Sequence, residues 1–209
     1  MAEPETRPST GTPARTWFAA LLVGALALAI GFGAGVFVAR PQHPGDGSAE
    51  AGFARDMSTH HGQAVSMAIE EYGVTKDTYL RQVSVDMALT QQGQIGMMQT
   101  WLRNWGLETN SDARPMEWMG AAVPPGSLMP GMASADDRDK LRKATGRDKD
   151  VLFCQLMIQH HLGGIHMVDG ILARTDDDQV RDLAQAMKDA QQYEIGALKE
   201  KLSALGATP

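Results

Sequence analysis

Two pairs of adjacent histidines, each with methionines on both sides, are the residues of this sequence best suited to chemistry. One pair lies in MSTHHGQAVSM at positions 57–67, and the other lies in MIQHHLGGIHM at positions 157–167. Imidazole nitrogen suits copper and zinc, whereas thioether sulfur is a soft ligand that selects Cu(I). The residues therefore predict a soft-metal site for Cu(I), or for Ag(I) as its heavier analogue. The alternative is that the methionines fill the core and the histidines are buried, hydrogen-bonded side chains.

The two dyads occupy equivalent positions of an internal duplication, because the sequence matches itself without a gap when it is shifted by 100 residues. A repeat of this kind indicates two copies of one structural unit. The repeats span 50–106 and 150–206, and a connector rich in Pro, Gly and Met, 107–147, separates them. The matched pairs include Phe53 and Phe153, Met57 and Met157, His60 and His160, His61 and His161, Met67 and Met167, Met87 and Met187, Gln91 and Gln191, and Gly106 and Gly206.

Apolar residues in both repeats recur with the period of a helix, and no segment alternates as a strand would. Each repeat predicts a helical hairpin, and the two hairpins predict an all-α four-helix bundle over 50–209 with an approximate two-fold axis. Gly106 and Gly206 suit helix C-termini, and an aspartate among residues 176–178 suits the N-cap of the last helix. The predicted helices are 50–72, 76–104, a short 134–145, 148–174 and 177–205.

Helical geometry places the first histidine of each dyad on one stripe with methionines, since residues three, four and seven apart share a face. The second histidine lies about 100° around the helix. We therefore expect His60 and His160 to face the metal, with His61 and His161 beside them. The two stripes are Met57, His60, Ala64 and Met67 in the first repeat, and Met157, His160, Gly164 and Met167 in the second.

The second helix of each hairpin carries a polar residue within an otherwise apolar stripe, Gln94 in the first repeat and Glu194 in the second. Burying such groups without partners is costly, and imidazole N–H groups can serve as those partners. An amide or a carboxylate behind a metal-bound histidine also fixes its tautomer. Gln94 and Glu194 are predicted to hold the histidines in this way. The alternative is a solvent-exposed helix face.

Other sulfur-bearing residues have two interpretations each. Met129 and Met132 belong to an MPGM sequence in the connector, where methionines beside Pro and Gly have less reason to be core. They either capture or cover the metal, or they form an apolar clasp over the end of the bundle. Cys154, the only cysteine, lies one helical turn from Met157 and is either a Cu(I) ligand or a plain buried thiol. His166 is expected at the surface.

An uncharged stretch at 17–39 is long enough to cross a hydrocarbon core of about 30 Å as a helix. We predict a transmembrane anchor at 16–39 after a disordered tail, 1–15, and before a flexible linker, 40–49. The bundle is then expected outside the cytoplasm on a single-pass membrane protein, or secreted if the segment is cleaved. Gly31 and Gly35 form a GxxxG pattern that can pair helices into a homo-oligomer, although a Gly-rich span also produces this pattern by chance.

Composition and motifs exclude several classes of function. The formal charge of −6 and the pI near 5.5 argue against nucleic acid, which requires a basic face. A single cysteine excludes an internal disulfide framework and any CxxC motif. The chain has no P-loop, GxSxG or HExxH motif. It also lacks the Glu-x-x-His motifs of a di-iron carboxylate site. A binding protein is therefore predicted in preference to an enzyme.

The pattern F-x3-M-x2-H-H in both repeats, the QxxEIG sequence near 194 and the MPGM before the second dyad resemble the family called domain of unknown function 305. The resemblance covers about 49–205. It implies a bacterial, secreted or membrane-anchored, ferritin-like helical protein from a family in which some members are associated with copper and silver tolerance. It also implies a ligand set, with Met129 and Met132 behind it: His60, His61, His160, His161, Met57, Met67, Met157 and Met167.

Two departures from the family pattern predict that the half-sites are not equivalent. Gly163 and Gly164 stand where a Gly-Ala step is usual and are expected to loosen that helix, and Gln94 stands where the second repeat has Glu194. The leading hypothesis is a membrane-tethered Cu(I) buffer or chaperone outside the cytoplasm. The alternatives are a helical interaction or scaffold domain with structural dyads and, third, a ferritin-like metal oxidoreductase.

Overall fold

The computed structural model describes residues 23–32 and 43–209. Every regular element within these two ranges is helical, which confirms the prediction of an all-α fold. The predicted helix ends agree with the observed ones to within two residues, and a short 3-10 helix in the connector was not predicted. The helices of the second range are α1 (Ala49–Val74), α2 (Thr78–Asn104), η1 (Glu117–Met119), α3 (Ala135–Lys143), α4 (Gly146–Leu172) and α5 (Asp178–Ala204).

Residues 23–32 form a helix. The rest of the predicted anchor at 16–39, including Gly35, lies outside the described residues, as do the predicted tail at 1–15 and the first part of the linker. Among residues 23–32 and 43–209, no helix combines the length and the apolar character needed to cross a bilayer. The anchor stays a prediction.

Helix ends in the two repeats are built in the same way. Asp77 and Asp177 are N-caps whose carboxylates accept hydrogen bonds from backbone amides of the first turns of α2 and α5. Gly106 and Gly206 follow the other ends of these helices with φ angles of 72° and 69°, a left-handed conformation that glycine adopts without strain. The residue after each glycine donates to a carbonyl in the last helical turn, so the predicted stop signals are confirmed.

The long helices form two hairpins, α1 with α2 and α4 with α5, and the hairpins meet where α1 packs against α4. These two helices run antiparallel, because Thr75 near the end of α1 donates a hydrogen bond to Asp150 near the start of α4. Their middle sections therefore bring the two histidine dyads together. Two hydrophobic clusters fill the interior of residues 44–209, and the histidines lie between them in the sequences of α1 and α4.

Glycines of α4 make room for neighbouring chain segments. A β-carbon at Gly163 would stand 2.0 Å from the carbonyl oxygen of Pro130, and one at Gly164 would stand 2.4 Å from an oxygen of Gln191. The helix is continuous through both glycines, so the expected loosening is not observed. The two glycines allow close packing of the connector and of α5 against α4.

Candidate metal centre

All four dyad histidines are inside the protein, with at most 1% of each residue exposed. His60 on α1 and His160 on α4 lie against each other across the helix interface, with ring centroids 3.8 Å apart and planes tilted by 38°. The centroid of His161 is 6.3 Å from that of His160. The two rings that the stripe argument selected are therefore in contact across the helix interface, and their facing a metal stays a prediction.

The second histidine of each dyad is held by the residue that the sequence suggested. Nε2 of His61 lies 2.7 Å from Oε1 of Gln94, and Nε2 of His161 lies 2.6 Å from Oε2 of Glu194. An amide oxygen or a carboxylate can only accept, so Nε2 carries the hydrogen in both rings. Gln94 and Glu194 are half-buried, which excludes the fully exposed polar face that was the alternative.

His60 is held in a third way, which the sequence did not indicate. Its Nε2 donates to the backbone carbonyl of Pro130, at 3.1 Å. The Nδ1 atoms of His60, His61 and His161 are buried and without any hydrogen-bond partner. His160 has its buried Nε2 unpartnered instead. In these three rings Nε2 is held by an acceptor and Nδ1 is left without a partner, which is the usual arrangement of metal-ligating histidines.

The interior keeps the imidazoles of His60, His61 and His160 neutral. Burial lowers the pKa of His60 to about 4, although the Pro130 carbonyl partly opposes this. Burial and the neighbouring His60 lower the pKa of His61 to about 3. The pKa of His160 lies well below its usual range for the same reasons, burial first. Because metals bind the neutral ring, these three side chains are ready to act as ligands near neutral pH without releasing a proton.

The four methionines that flank the dyads are completely buried. Met57 and Met167, from different repeats, belong to one hydrophobic cluster. Met67 and Met157 belong to the other. Because α1 and α4 are antiparallel, each cluster contains one pair of thioethers, with one member from each repeat. Along both helices the histidines lie between these two pairs.

The remaining predicted sulfur ligands are divided between the clusters. Met129 is buried in the first cluster and Met132 packs half-buried against it. Cys154 is buried in the second cluster, where burial and the nearby carboxyl of Glu71 raise the pKa of its thiol to about 12. The thiolate is the form that binds metals, so the protonated state of Cys154 fits the plain buried thiol better.

No three His, Cys, Asp or Glu side chains within residues 23–32 and 43–209 are grouped as a ready-made metal site. His43 and His166 are exposed, as expected for His166. The buried side chains of the dyads and of the methionines that flank them offer imidazole nitrogen and thioether sulfur. Such a donor set suits Cu(I) and Ag(I), and it does not suit metals that need carboxylates.

Sequence reasoning missed the tertiary contacts made by the connector. Besides the Pro130 carbonyl, these include Asp56, whose Oδ2 accepts from the backbone amide of Met116 at 2.7 Å and from the indole of Trp118 at 2.8 Å. The signals in the sequence were glycines, Gly52 of α1 and the extra glycines of α4, which mark a close approach without identifying the segment that approaches.

Comparison with known proteins decides the family. The model of the family described as domain of unknown function (DUF305) matches residues 50–202. The chain belongs to this family. This match confirms the family resemblance that the sequence motifs indicated. No curated protein matches it.

Solved structures agree with this assignment. A DUF305 protein of Streptomyces coelicolor, described as a candidate secreted protein, is 40% identical and covers 78% of this DUF305 chain and 98% of its own, with a TM-score of 0.74. A DUF305 fragment from Deinococcus radiodurans is 26% identical, covers 76% and 95%, and has a TM-score of 0.63. CopM in its Cu(II)-bound form is 22% identical, covers 75% and 97%, and shares the fold with a TM-score of 0.59.

Proposed function

We propose that this DUF305 chain binds Cu(I), with Ag(I) as a substitute, between α1 and α4 and acts as a buffer or chaperone for the ion, without catalysis. The observation that carries the proposal is the set of three buried Nδ1 atoms in His60, His61 and His161, each unpartnered while Nε2 is held by an acceptor. A buried polar atom without a partner costs about 1–3 kcal/mol, and coordination of a metal would remove that cost.

The proposed ligands are the four dyad histidines together with the methionine pairs on either side of them. Met57 and Met167 would serve a metal on one side, and Met67 and Met157 would serve a metal on the other. Cu(I) is satisfied by few ligands and takes soft sulfur readily, so one or two imidazoles with one or two thioethers suffice. Met129 and Met132 are proposed as additional ligands at the first of these positions.

The half-sites are proposed to differ in strength. Glu194 places a carboxylate behind His161, whereas Gln94 places a neutral amide behind His61. A carboxylate strengthens the donor power of the imidazole that hydrogen-bonds to it. We therefore propose that His161, in the second repeat, is a stronger imidazole ligand than His61, in the first repeat.

CopM, which shares the fold, has been solved in Cu(I)-bound, Cu(II)-bound and Ag-bound forms, and these forms support soft-metal binding here. The Streptomyces relative described as a candidate secreted protein supports a location outside the cytoplasm. We infer that residues 16–39 tether the helical unit to the membrane. We also propose that the bundle is ferritin-like and that the chain forms a homo-oligomer.

The test is a titration of the full chain with Cu(I) against a competing chelator. The variant His60→Ala/His160→Ala should lose most of the affinity, whereas the control His43→Ala/His166→Ala, which removes two exposed rings, should keep it. Nitrogen NMR of the rings should show the metal on Nδ1 of His60, His61 or His161. If a folded variant without any dyad histidine binds Cu(I) like the parent protein, the dyads are structural and the interaction-domain alternative takes its place.

A further inference from the structure

Residues 129–133 of the connector, called the strap below, run directly over the histidine pair. The carbonyl of Pro130 accepts the hydrogen of His60 Nε2. One helical turn further along α1, Gln63 binds the end of the strap through both of its side-chain polar atoms. Its Nε2 donates to the carbonyl of Ala133 at 3.0 Å, and its Oε1 accepts from the amide of Ala133 at 2.7 Å.

The opposite side of the strap fits against α4 through backbone contact. A β-carbon at Gly163 would stand 2.0 Å from the Pro130 carbonyl oxygen and 2.8 Å from the Cα of Gly131. Gly131 itself has a φ of 79°, and a β-carbon there would stand 2.4 Å from the carbonyl of Gln159. Backbone at these distances cannot move aside as a flexible side chain can, so the strap requires both glycines.

Gln63 and Gly163 occupy equivalent positions of the two repeats. In the first repeat the residue at this position, Gln63, binds the strap. In the second repeat it is Gly163, whose lack of a side chain leaves the space that the strap occupies. As a result the strap binds only one of the two facing histidines by a hydrogen bond. Nε2 of His60 is held by Pro130, whereas Nε2 of His160 has no hydrogen-bond partner.

We propose that Gln63 is a positioning residue of the metal centre, because it holds the strap in the space left by Gly163 and so keeps His60 in the Nε2–H tautomer with Nδ1 free. The same contact makes the strap a barrier that slows exchange of the bound ion. Only the second part of this inference, the barrier to exchange of the ion, rests on the proposed function. The tautomer of His60 and the order of the strap are properties of the metal-free protein.

The test uses the full chain and the variant Gln63→Met, which keeps the length of the side chain but removes both polar atoms. The control is Gln92→Met, an exposed glutamine on α2. Loss of two hydrogen bonds should raise hydrogen exchange of the Ala133 amide about tenfold. Ring nitrogen shifts should show His60 mixing its tautomers, which a merely structural residue would leave unchanged. Chelator-driven release of Cu(I) should become about tenfold faster.

A second pair of variants tests the same contact from α4. Gly163→Ala should reproduce the three effects of Gln63→Met, whereas Gly196→Ala, at a helical glycine with open space around it, should not. An unchanged His60 tautomer in folded Gln63→Met would overturn the positioning role. A changed tautomer with an unchanged release rate would overturn the barrier. A parent protein that binds no Cu(I) would refute the proposed function and the barrier, while the tautomer and exchange measurements would still decide the positioning role.

Discussion

The carboxyl of Glu71 should make the stability of this protein fall as pH rises through the neutral range. Glu71 lies on the last part of α1, completely buried, with Asp150 and Cys154 of α4 nearby. Burial and the contact with Asp150 raise its pKa from 4.5 to about 8, against a smaller opposing effect of the Lys149 ammonium and the Thr75 hydroxyl. Glu71 therefore holds a proton near pH 7.

The sign follows from proton linkage. Between pH 4.5, where the unfolded chain loses this proton, and about pH 8, where the folded protein loses it, the folded state binds more protons. The contribution of Glu71 to the free energy of unfolding then decreases by about 1.4 kcal/mol for each pH unit, and above about pH 6.5 the lowered histidine pKa values no longer oppose it. The contribution is complete below pH 4.5 and lost above about pH 8. The total loss has an upper limit of about 5 kcal/mol, because relaxation and entry of water at high pH reduce it.

The perturbation is Glu71→Gln, which keeps the size and shape of the side chain and has no carboxyl proton to lose. Urea unfolding from pH 7 to pH 9, above the range in which the buried histidines change stability, should show a much flatter profile for Glu71→Gln than for the parent, with the variant more stable at pH 9. Glu200→Gln, at an exposed position of α5, is the matched control and should follow the parent. Parallel profiles for the parent and Glu71→Gln would refute the assignment of a buried, protonated Glu71.

Three further predictions follow from single contacts. Glu194→Gln should weaken Cu(I) binding about tenfold in a chelator competition, because His161 keeps its hydrogen bond but loses the carboxylate behind it. Cys154 should resist thiol reagents at pH 8 in the folded protein and react after unfolding, since burial raises its pKa to about 12. Asp56→Asn should destabilise the protein by about 1–3 kcal/mol and shift the fluorescence of Trp118, because one carboxylate oxygen accepts two half-buried hydrogen bonds.

The Asp56 prediction has a matched control in the same chain. Asp189→Asn, at an exposed aspartate, should leave both stability and fluorescence unchanged. A Glu194→Gln variant with unchanged affinity would show that the carboxylate only holds the ring in place. Rapid labelling of Cys154 in the native protein would mean that the second cluster opens more easily than its packing indicates.

The helical framework and the central histidines were predictable because both depend on local periodicity. Residues three, four and seven apart share a helix face in any sequence context, so the stripe argument correctly brought His60 to His160. The gap-free repeat made the contacts of the second histidines predictable as well. His61 with Gln94 and His161 with Glu194 have the same separation of 33 residues and make equivalent hydrogen bonds.

The connector was not predictable in the same way. Its path depends on contacts between residues that lie far apart in the sequence, such as the two hydrogen bonds between Gln63 and Ala133. The effect of Gly163 was not predictable from the sequence either. In the sequence it indicates a weakened helix, whereas in the structure it is a point of close backbone contact with Pro130.

The sequence by itself determined the all-α class, the duplication, the helix ends and the four histidines that meet between the hairpins, because each of these follows from short-range spacing. Only the tertiary structure decided the protonation and the orientation of those histidines. Burial between α1 and α4 lowers the pKa values of His60 and His61, and acceptors on the connector and on α2 select which ring nitrogen stays free. Both effects arise from groups that are distant in sequence and adjacent in space, which no local pattern records.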